Sequence, residues 1–439
     1  MGGVKMEQVN SPWGGLPKGW HLSTIDKEKE ILTDYVANGS FASLASNVHY
    51  KDTKDYAVLI RLVDFNNDFK GPFVYIDEHA YNFLSKSSLF GGEIIISNVG
   101  ANVGTVFKCP NLPYKMSLAP NAITIKLKGD NDFYYYWFKS KIGQANIQAL
   151  VTGSAQPKFN KTNFRSMFIP VPPLSHQRRI SSLLASLDRK IELNNKINAE
   201  LEEMAQAIFK NWFVDFEPFK DGKFVESELG MILEGWKVSQ IIDIPHVLET
   251  GRRPKGGAVE EGIPSVGAEH VKGMCSYDYS KTKYINAEFA SKLKSGKIKG
   301  YELLIYKDGG KPGYFIPNFS IFGEGYPFEE CYLNEHVFKL DFNGNKGFNI
   351  FCYFFFKTKA IMKYLNAQGA KAAIPGINKK DIEYIHILSP NNEAVREFGI
   401  FALPLFKKIL QNANENLRLS HLRDTLLPKL MSGELEVSE

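Results

Sequence analysis

Apolar residues recur at alternating steps of three and four along the chain that follows Pro170, Pro172 and Pro173, and no further Pro or Gly interrupts this stretch before Pro218. The pattern has polar Asn at two of its positions and comprises Leu184, Leu187, Ile191, Asn194, Asn198, Leu201, Ala205, Ile208 and Trp212. Such spacing is typical of a coiled-coil seam. It predicts one long helix over residues 173–213.

The same seam returns near the end of the chain at an offset of 218 residues. The matched pairs are Leu187 and Leu405, Ile191 and Ile409, Asn194 and Asn412, Asn198 and Asn416, Leu201 and Leu419, and Ile208 and Leu426. Two unrelated helices could share a heptad, but recurring Asn favours a duplication, since a polar seam residue fixes register. A second long helix is predicted over residues 391–431, and Pro428 is expected to end or bend it near Leu427.

The repeat extends into the regions between the seams. SPWGGLPKGW at 11–20 matches SELGMILEGW at 227–236, and the KSK at 139–141 matches the KTK at 357–359. Runs of β-branched and aromatic residues predict short strands. They lie within 56–65, 92–100, 104–109 and 122–127, and then within 301–310, 313–317 and 335–342.

Each region then continues with an aromatic-rich segment, a loop and a short strand. The aromatic segments, residues 132–150 and 349–368, are each predicted to form one helix with its rings in the core. The loops at 153–173 and 369–390 contain the short strands MFIPV and YIHIL, which lead into the long helices. The sequence therefore predicts an α+β chain with two similar globular regions and a pseudo-two-fold internal repeat.

Two long helices with matching apolar seams would hide them best by packing on each other. Because the globular regions follow in series, antiparallel packing is expected to place one region at each end of the pair. The 27 residues from Leu187 to Phe213 span about 40 Å as a helix. One turn of B-DNA spans roughly 34–36 Å, so the pair is long enough to hold two regions on one face of a duplex.

Composition adds limited constraints. The net charge is +5, and the regions 1–172 and 230–390 each carry four more basic than acidic groups, which suits a polyanion partner. No apolar run reaches the 18 residues expected of a membrane span, and the N-terminus lacks a signal-peptide pattern. The four dispersed cysteines form no CxxC, so a reduced cytoplasmic protein without a zinc cluster is expected.

Motifs for catalysis are not found in the sequence. It contains no GxxxxGK[ST], no HExxH and no Asn/Asp-Pro-Pro-aromatic motif. Basic and amide side chains next to turns are better candidates, because Lys contacts phosphates while Arg, Gln and Asn read base edges. The predicted DNA-binding residues are Asn98, Asn102, Gln156, Lys158, Arg252, Arg253, Lys255, Lys307, Lys311 and Lys371. No catalytic or metal-binding residue is predicted.

Several stretches together resemble one known family. TGSAQPKFNKTNFRSMFIPVPPLSHQRRISSLLASLDRKIELNNKINAELEEMAQAIFKNWF at 152–213 resembles the conserved region of the specificity subunits of type I restriction-modification enzymes. LRDTLLPKLMSGEL at 422–435 resembles the end of their second conserved region. LPKGW at 16–20 and ILEGW at 232–236 resemble the starts of their target recognition domains.

The resemblance implies a division of the chain into two target recognition domains and two conserved helices. Their ranges are 1–172 and 230–390 for the domains, 173–213 and 391–431 for the helices, 214–229 for a linker and 432–439 for an acidic tail. Each domain is expected to read one half of a bipartite, asymmetric site in double-stranded DNA, with the antiparallel helices setting the gap. The implied partners are two methyltransferase subunits and two motor-nuclease subunits. S-adenosylmethionine, ATP and magnesium are expected on those partners, and no membrane is involved.

Two other classes of function are consistent with parts of the sequence. A self-contained nuclease or methyltransferase would carry its own reactive groups and modify DNA unaided. An adaptor that uses its coiled coil to bind protein alone would have no affinity for DNA.

Overall fold

The computed structural model describes residues 16–309, 313–371 and 375–435, and its contacts divide the chain into two units. The first unit consists of the chain up to Arg189 together with Leu419 onward, and the second unit of Lys190–Arg418. Each unit therefore contains a segment of both long helices. The helices, called α8 and α13 below, occupy Leu174–Phe213 and Glu393–Ser432 and have 40 residues each.

The first unit is built on three small sheets with the orders β1-β10, β2-β9-β6-β7 and β4-β3-β8-β5. Its strands are β1 His21–Thr24, β2 Lys29–Asp34, β3 Ala57–Ile60, β4 Val74–Ile76, β5 Ser88–Leu89, β6 Ile94–Ser97, β7 Val106–Lys108, β8 Lys115–Leu118, β9 Ala122–Leu127 and β10 Phe168–Val171. Its shorter helices are α1 Ile25–Glu28, α2 Phe41–Asn47, α3 Leu62–Asn66, α4 Glu78–Phe83, α5 Asn131–Lys139, α6 Lys141–Ala149 and α7 Lys161–Arg165.

The second unit has a related topology with the sheet orders β13-β22, β14-β21-β18-β19-β16 and β17-β15-β20. Its second sheet has one strand more than that of the first unit, its third sheet has one fewer, and the hairpin β11-β12 is added. Its strands are β11 Phe224–Ser227, β12 Gly230–Leu233, β13 Val238–Gln240, β14 Val247–Thr250, β15 Ile263–Val266, β16 Gly273–Met274, β17 Lys283–Ile285, β18 Leu303–Tyr306, β19 Phe319–Ile321, β20 Tyr332–Leu333, β21 Val337–Asp341 and β22 His386–Leu388. Its shorter helices are α9 Ala287–Ser291, α10 Lys346–Phe356, α11 Lys359–Gly369 and α12 Lys379–Glu383.

A glutamate holds the same turn in both units. Glu93, just before β6, accepts hydrogen bonds from the backbone N–H groups of Phe90 and Gly91 at 2.7 and 2.9 Å. Glu302, just before β18, accepts from Lys299 and Gly300 at 2.8 and 2.6 Å. These positions differ by 209 residues, so the duplication includes side-chain detail that apolar spacing alone did not reveal.

The aromatic-rich segments lie in the cores, as predicted, but neither forms one continuous helix. The rings of Phe133, Tyr134 and Trp137 are almost fully buried, as are those of α10. Ser140 has an extended backbone between α5 and α6, and its hydroxyl accepts from the Gly143 N–H at 3.1 Å. Thr358 is extended in the same place between α10 and α11. At Ser140 the break arises because its hydroxyl caps the next helix, whereas the Thr358 hydroxyl donates back to the Phe355 carbonyl at 2.7 Å.

Two predicted strands differ from those observed. Only Ala57–Ile60 of the run 56–65 is a strand, because α3 starts at Leu62, where the Asp64 carboxylate accepts from the Arg61 N–H at 2.9 Å. In the second unit, the strand of the region after β18 is Phe319–Ile321, not 313–317. The run AITIKL at 122–127 is a strand throughout, as predicted.

Within the second unit the two long helices run antiparallel and are joined through their Asn residues. Asn194 donates to the Asn416 side chain at 2.9 Å and to Glu415 at 2.8 Å. One turn further along α8, Asn198 accepts from Asn412 at 2.8 Å. Later residues of α8 thus contact earlier residues of α13, which makes the two segments antiparallel. Ala205 and Phe209 of α8 and Ile409 and Ala413 of α13 belong to the same core, which also contains β18, β21 and α10.

Within the first unit a different set of contacts joins the helices. Asp188 of α8 accepts from the Arg423 guanidinium of α13 and from the Tyr136 hydroxyl of α5, each at 2.7 Å. Leu184 of α8 and Leu430 of α13 are fully buried in the core with β6, β9 and α5. The paired segments are again antiparallel.

Of the two outcomes expected at Pro428, an end of the helix near Leu427 is wrong, because α13 continues through Pro428 to Ser432; a bend at this point stays a prediction. A proline inside a helix removes one backbone hydrogen bond and crowds the preceding turn. Here the next turn carries Leu430 and Met431, which are 0% and 3% exposed. Burial of two large apolar side chains contributes about 1.5–3 kcal/mol each, which offsets the proline penalty.

The seam residues predicted from the sequence all lie at buried or half-buried positions. Leu187, Asn194, Ile409 and Asn412 are buried, and the half-buried ones are Ile191, Asn198, Leu201, Ile208, Leu405, Asn416, Leu419 and Leu426. The α+β fold class with two similar domains and an antiparallel pair of long helices is confirmed. Among the described residues, no helix has the length and apolar character needed to cross a membrane.

Replacing Asn412 with Ala is expected to destabilise the second unit. The substitution removes the donor to Asn198 and leaves the carbonyl oxygen of that half-buried amide unpaired. The expected loss is about 1–3 kcal/mol in the free energy of unfolding, measured by urea denaturation. Gln411→Ala, at the exposed neighbouring position, is the control and should change stability by less than about 0.5 kcal/mol. An equal effect of the two substitutions would contradict the role of Asn412.

The stability of the second unit is expected to fall as the pH drops below about 6.5, where an exposed His gains its proton. His270 is 1% exposed and its ring stacks on Tyr277 with centroids 4.0 Å apart. Burial lowers the pKa of His270, although Glu269 and Asp278 act to raise it. Below the ordinary pKa, the unfolded chain therefore binds a proton that the folded chain does not, which favours unfolding.

The check is the free energy of unfolding at pH 7.5 and pH 5.5. Wild type should lose roughly 1 kcal/mol more over this interval than His270→Phe, within the limit of about 1.4 kcal/mol per pH unit for one proton. His421→Gln, at an exposed position of α13, should behave as wild type. A His270→Phe variant with the wild-type pH dependence would exclude this residue as the cause.

Candidate nucleic-acid interface

Three backbone hydrogen bonds join three separate segments at one edge of the first unit. β6 and β9 are antiparallel, so the residue after β6 lies beside the residue before β9. The Asn98 N–H donates to the Asn121 carbonyl at 3.0 Å, the Gly100 N–H to Pro157 at 2.9 Å, and the Phe159 N–H to Asn98 at 3.1 Å. Residues far apart in sequence are thereby held together at the end of the sheet.

The second unit has the same three hydrogen bonds at the equivalent edge. The Lys307 N–H donates to the His336 carbonyl at 3.0 Å, the Gly309 N–H to Pro375 at 2.9 Å, and the Ile377 N–H to Lys307 at 2.8 Å. We call each arrangement the laced edge: residues 98–100, 121 and 157–159 in the first unit, and 307–309, 336 and 375–377 in the second. The two laced edges share a backbone but carry different side chains.

The first laced edge gathers the four DNA-binding residues predicted for this unit. Asn102, Gln156 and Lys158 are exposed, and the Lys158 backbone pairs with that of Thr152 and Val99. Asn98 is half-buried: its amide donates to the Phe159 carbonyl at 3.4 Å, and its side-chain oxygen is covered without a hydrogen-bond partner among the described residues. Asn98 therefore stabilises the edge, while the other three offer groups to solvent.

The second laced edge gathers cations from several segments. Lys307 is half-buried, with its ammonium 3.2 Å from the Glu335 carbonyl and 3.4 Å from the Asp308 carboxylate. Lys371 is exposed and donates to Gln368 at 2.7 Å, in the segment that leads to Pro375. Lys311 lies outside the described residues.

The basic loop after β14 lies at this same end of the sheet, because β14 and β18 end where β21 begins. Arg252, Arg253 and Lys255 are all exposed. The Arg253 guanidinium is 4.0 Å from the Glu335 carboxylate, and its side chain is 64% exposed. At that distance and exposure the ion pair is weak, so the cations of this loop are available to a polyanion.

Sequence reasoning missed the charged residues that stand beside Lys307. His336 contacts the Asp308 carboxylate at 2.5 Å through Nδ1 and lies 3.3 Å from the Glu335 carboxylate through Nε2. The equivalent of His336 in the first unit is Asn121, also missed, which is exposed and has a positive φ of 68°. Aligning the residue before β9 with the residue before β21, at an offset of 215, would have paired them.

Deeper in the second unit, a buried ion pair explains why Lys339 is not part of the exposed surface. The Lys339 ammonium lies 2.9 Å from Glu249, 3.8 Å from Glu302 and 2.7 Å from the Lys297 carbonyl. Burial acts to raise the pKa of Glu249, but the hydrogen bonds from Lys339 and the Gly296 N–H outweigh it, so the pKa is lowered. These charges are satisfied internally, which stabilises the sheet that supports the laced edge.

A cavity of about 370 Å³ opens beside the first laced edge. Its walls include Val99, Ala119 and Pro120, and Arg61 and Asn121 contribute polar groups. Arg61 is held by two hydrogen bonds to Asp64, at 2.6 and 3.0 Å. Elsewhere in the described part of the chain, no group of three His, Cys, Asp or Glu side chains is placed to hold a metal ion.

Comparison with known proteins finds similarity to one group of proteins. The family model for the type I restriction modification DNA specificity domain matches residues 38–203. The type I restriction enzyme MjaIX specificity subunit of Methanocaldococcus jannaschii is 28% identical over 439 residues, covering 97% of this chain and 96% of that protein. The HindI specificity subunit of Haemophilus influenzae is 26% identical over 338 residues, covering 64% of this chain and 71% of that protein.

A solved structure supports the fold. The crystal structure of a type I restriction-modification S subunit from M. genitalium aligns with a TM-score of 0.52 at 16% identity, covering 97% of this chain and 98% of that one. The duplicated topology, the antiparallel helices and the nearly full-length relatives agree with the family resemblance of the sequence. The chain is thus similar over most of its length to type I restriction-modification specificity subunits, and residues 38–203 match the model of their DNA specificity domain.

Proposed function

We propose that this chain is the DNA sequence-recognition subunit of a type I restriction-modification complex. Each unit reads one half of a bipartite target in double-stranded DNA, and the long helices set the gap between the halves. The laced edge of each unit is the surface that meets the DNA. Lysines and arginines there contact phosphates, and amide groups reach base edges.

The observation that carries this proposal is the duplicated laced edge. Its three backbone hydrogen bonds are the same in the two units: two pairs have equal lengths, 3.0 and 2.9 Å, and the third pair measures 3.1 and 2.8 Å. The side chains at matched positions differ: Asn98 and Asn121 in one unit, Lys307 and His336 in the other. Two equal scaffolds that present unequal side chains suit an asymmetric target with two different half-sites.

We further propose that the chain acts without catalytic groups of its own, in the cytoplasm, as the scaffold of the complex. Methyltransferase subunits dock on it and bring S-adenosylmethionine, and motor-nuclease subunits bring the ATP and magnesium chemistry. The exposed apolar side chains Leu193 and Met204 on α8 are 51% exposed each.

Replacing both Arg252 and Arg253 with Ala is expected to weaken binding to the half-site read by the second unit. Both guanidinium groups are exposed at the second laced edge, and a cation that neutralises a phosphate releases counterions from the DNA. The slope of log affinity against log salt should therefore fall by about 0.9 for each phosphate that is no longer neutralised. Titration of a duplex carrying the target, at several salt concentrations, measures both the affinity and the slope.

The matched control is Lys220→Ala with Lys223→Ala, which removes two exposed charges from the linker between α8 and β12. It has the same change in net charge as the arginine double variant. If both double variants weaken binding equally, or if neither does, the second laced edge is not the DNA-contacting surface.

Lengthening the helix pair by one heptad is expected to widen the preferred gap. Seven residues inserted after Asn198, and seven before Asn412, keep the Asn198–Asn412 contact and extend both helices by about 10 Å. At about 3.4 Å per base pair, this corresponds to roughly three base pairs. Selection from duplexes with gaps of different lengths measures the change; an unaltered gap in a folded variant would refute the role of the helices.

A further inference from the structure

The two laced edges have the same backbone hydrogen bonds but different side chains. The backbone positions of Asn121 and His336 are equivalent, since each carbonyl accepts the same hydrogen bond from the residue after the neighbouring strand. Val99 and Asp308 are likewise equivalent, through their bridges to Lys158 and Gly376. Because the scaffold is the same, any difference in the bases that the units prefer must come from the side chains at these positions.

Asn121 is well placed to act as such a side chain. It is exposed, and its backbone carbonyl is already used by the Asn98 N–H. No hydrogen bond of its side chain is found among the described residues. The positive φ of 68° restricts the position to few residue types. The side chain of Asn offers a donor and an acceptor side by side, which match N7 and N6 of adenine in the major groove.

The cavity beside Asn121 supplies a complementary apolar surface. Its volume is about 370 Å³, and Val99, Ala119 and Pro120 form part of its wall. Thymine is the base with a methyl group on its major-groove edge, which apolar side chains contact. The Arg61 guanidinium at the cavity is occupied by Asp64 through two hydrogen bonds, so it is less suited to the bidentate contact that guanine would require.

Resting on the DNA-recognition function proposed above, we infer that Asn121 and its neighbouring cavity read an adenine–thymine pair in the half-site bound by the first unit. Asn121 pairs with adenine and the cavity wall receives the thymine methyl. At the equivalent position the second unit presents His336 between two carboxylates. That group lacks the amide pair, so the second half-site carries no such preference at its matching position.

The test uses the full chain assembled with its methyltransferase partner and a randomised duplex DNA library. Asn121→Gly removes the amide while keeping a residue that adopts positive φ without strain. Asn343→Gly is the matched control: it is also an exposed Asn with positive φ, 52°, but follows the opposite end of β21. Wild type and Asn343→Gly should select the same two half-sites, with an adenine–thymine pair preferred about tenfold or more at one position. Asn121→Gly should lose that preference and keep all others.

A second variant and modified duplexes separate the amide contact from a change in folding. Asn121→Asp keeps a residue that tolerates positive φ but exchanges the donor for an acceptor, so the preference should move from adenine towards cytosine. For wild type, 7-deazaadenine at the selected position should weaken binding about tenfold. Uracil in place of thymine should weaken it roughly fourfold, the value of one buried methyl group.

The outcomes distinguish this inference from the function on which it rests. If Asn121→Gly selects the wild-type sequence, or loses a preference for a guanine–cytosine pair, the assignment of Asn121 is overturned while DNA recognition stands. If uracil binds as well as thymine, the role of the cavity is overturned. If the wild-type complex enriches no sequence from the library, the proposed function itself fails.

Discussion

The antiparallel contact between the two long helices is the constraint on which the rest of this structure depends. In the second unit, two Asn pairs lie in the seam, Asn194 with Asn416 and Asn198 with Asn412. A slip of one helical turn, about 5.4 Å, would break both pairs, and at most one new Asn pair could form because the Asn residues lie one turn apart on each helix. Such polar contacts cost stability relative to a fully apolar seam, but they exclude other registers. Register matters here because each core takes side chains from both helices, including Leu184 and Leu430 in the first unit.

In the first unit, an ionic contact joins the two long helices where the second unit uses Asn pairs. Asp188 accepts from Arg423 across the helix pair and from Tyr136 in the globular part. This one carboxylate of α8 thereby holds both α13 and α5 in position. The position that matches Asp188 at the offset of 218 is Phe406, which is buried against Tyr301. The duplicated halves have thus diverged between an ionic and an aromatic contact without changing the topology.

Much of the fold could be predicted because its signals are local. The seam of the long helices and the strand 122–127 follow directly from residue spacing. The breaks at Ser140 and Thr358 could not be read from periodicity, since the aromatic residues continue on both sides of them. At Pro428 the local sequence predicts the end of a helix, but the burial of Leu430 in the next turn favours continuation of the helix.

In the candidate interface, only the residues that stand out by local composition could be predicted from the sequence. The loop with Arg252 and Arg253 is conspicuous in the sequence because it combines basic residues with Pro and Gly. Asn121 and His336 are not conspicuous, because their positions depend on antiparallel pairing between residues about 25–37 positions apart. Strand register is set by tertiary contacts, so the residues that meet at the end of a sheet cannot be read from either strand alone.

The two laced edges also differ in the kind of interaction that they offer to DNA. The first presents the amides of Asn121, Asn102 and Gln156 with Lys158 as its cation. The second presents Lys307 and the arginines of the loop after β14 together with two carboxylates. Amide contacts to base edges depend little on ionic strength, whereas contacts between cations and phosphates weaken as salt is added. The two halves therefore share one backbone scaffold but carry different side chains. Under the proposed function, this difference suits an asymmetric target. Identical halves related by two-fold symmetry would favour a palindrome.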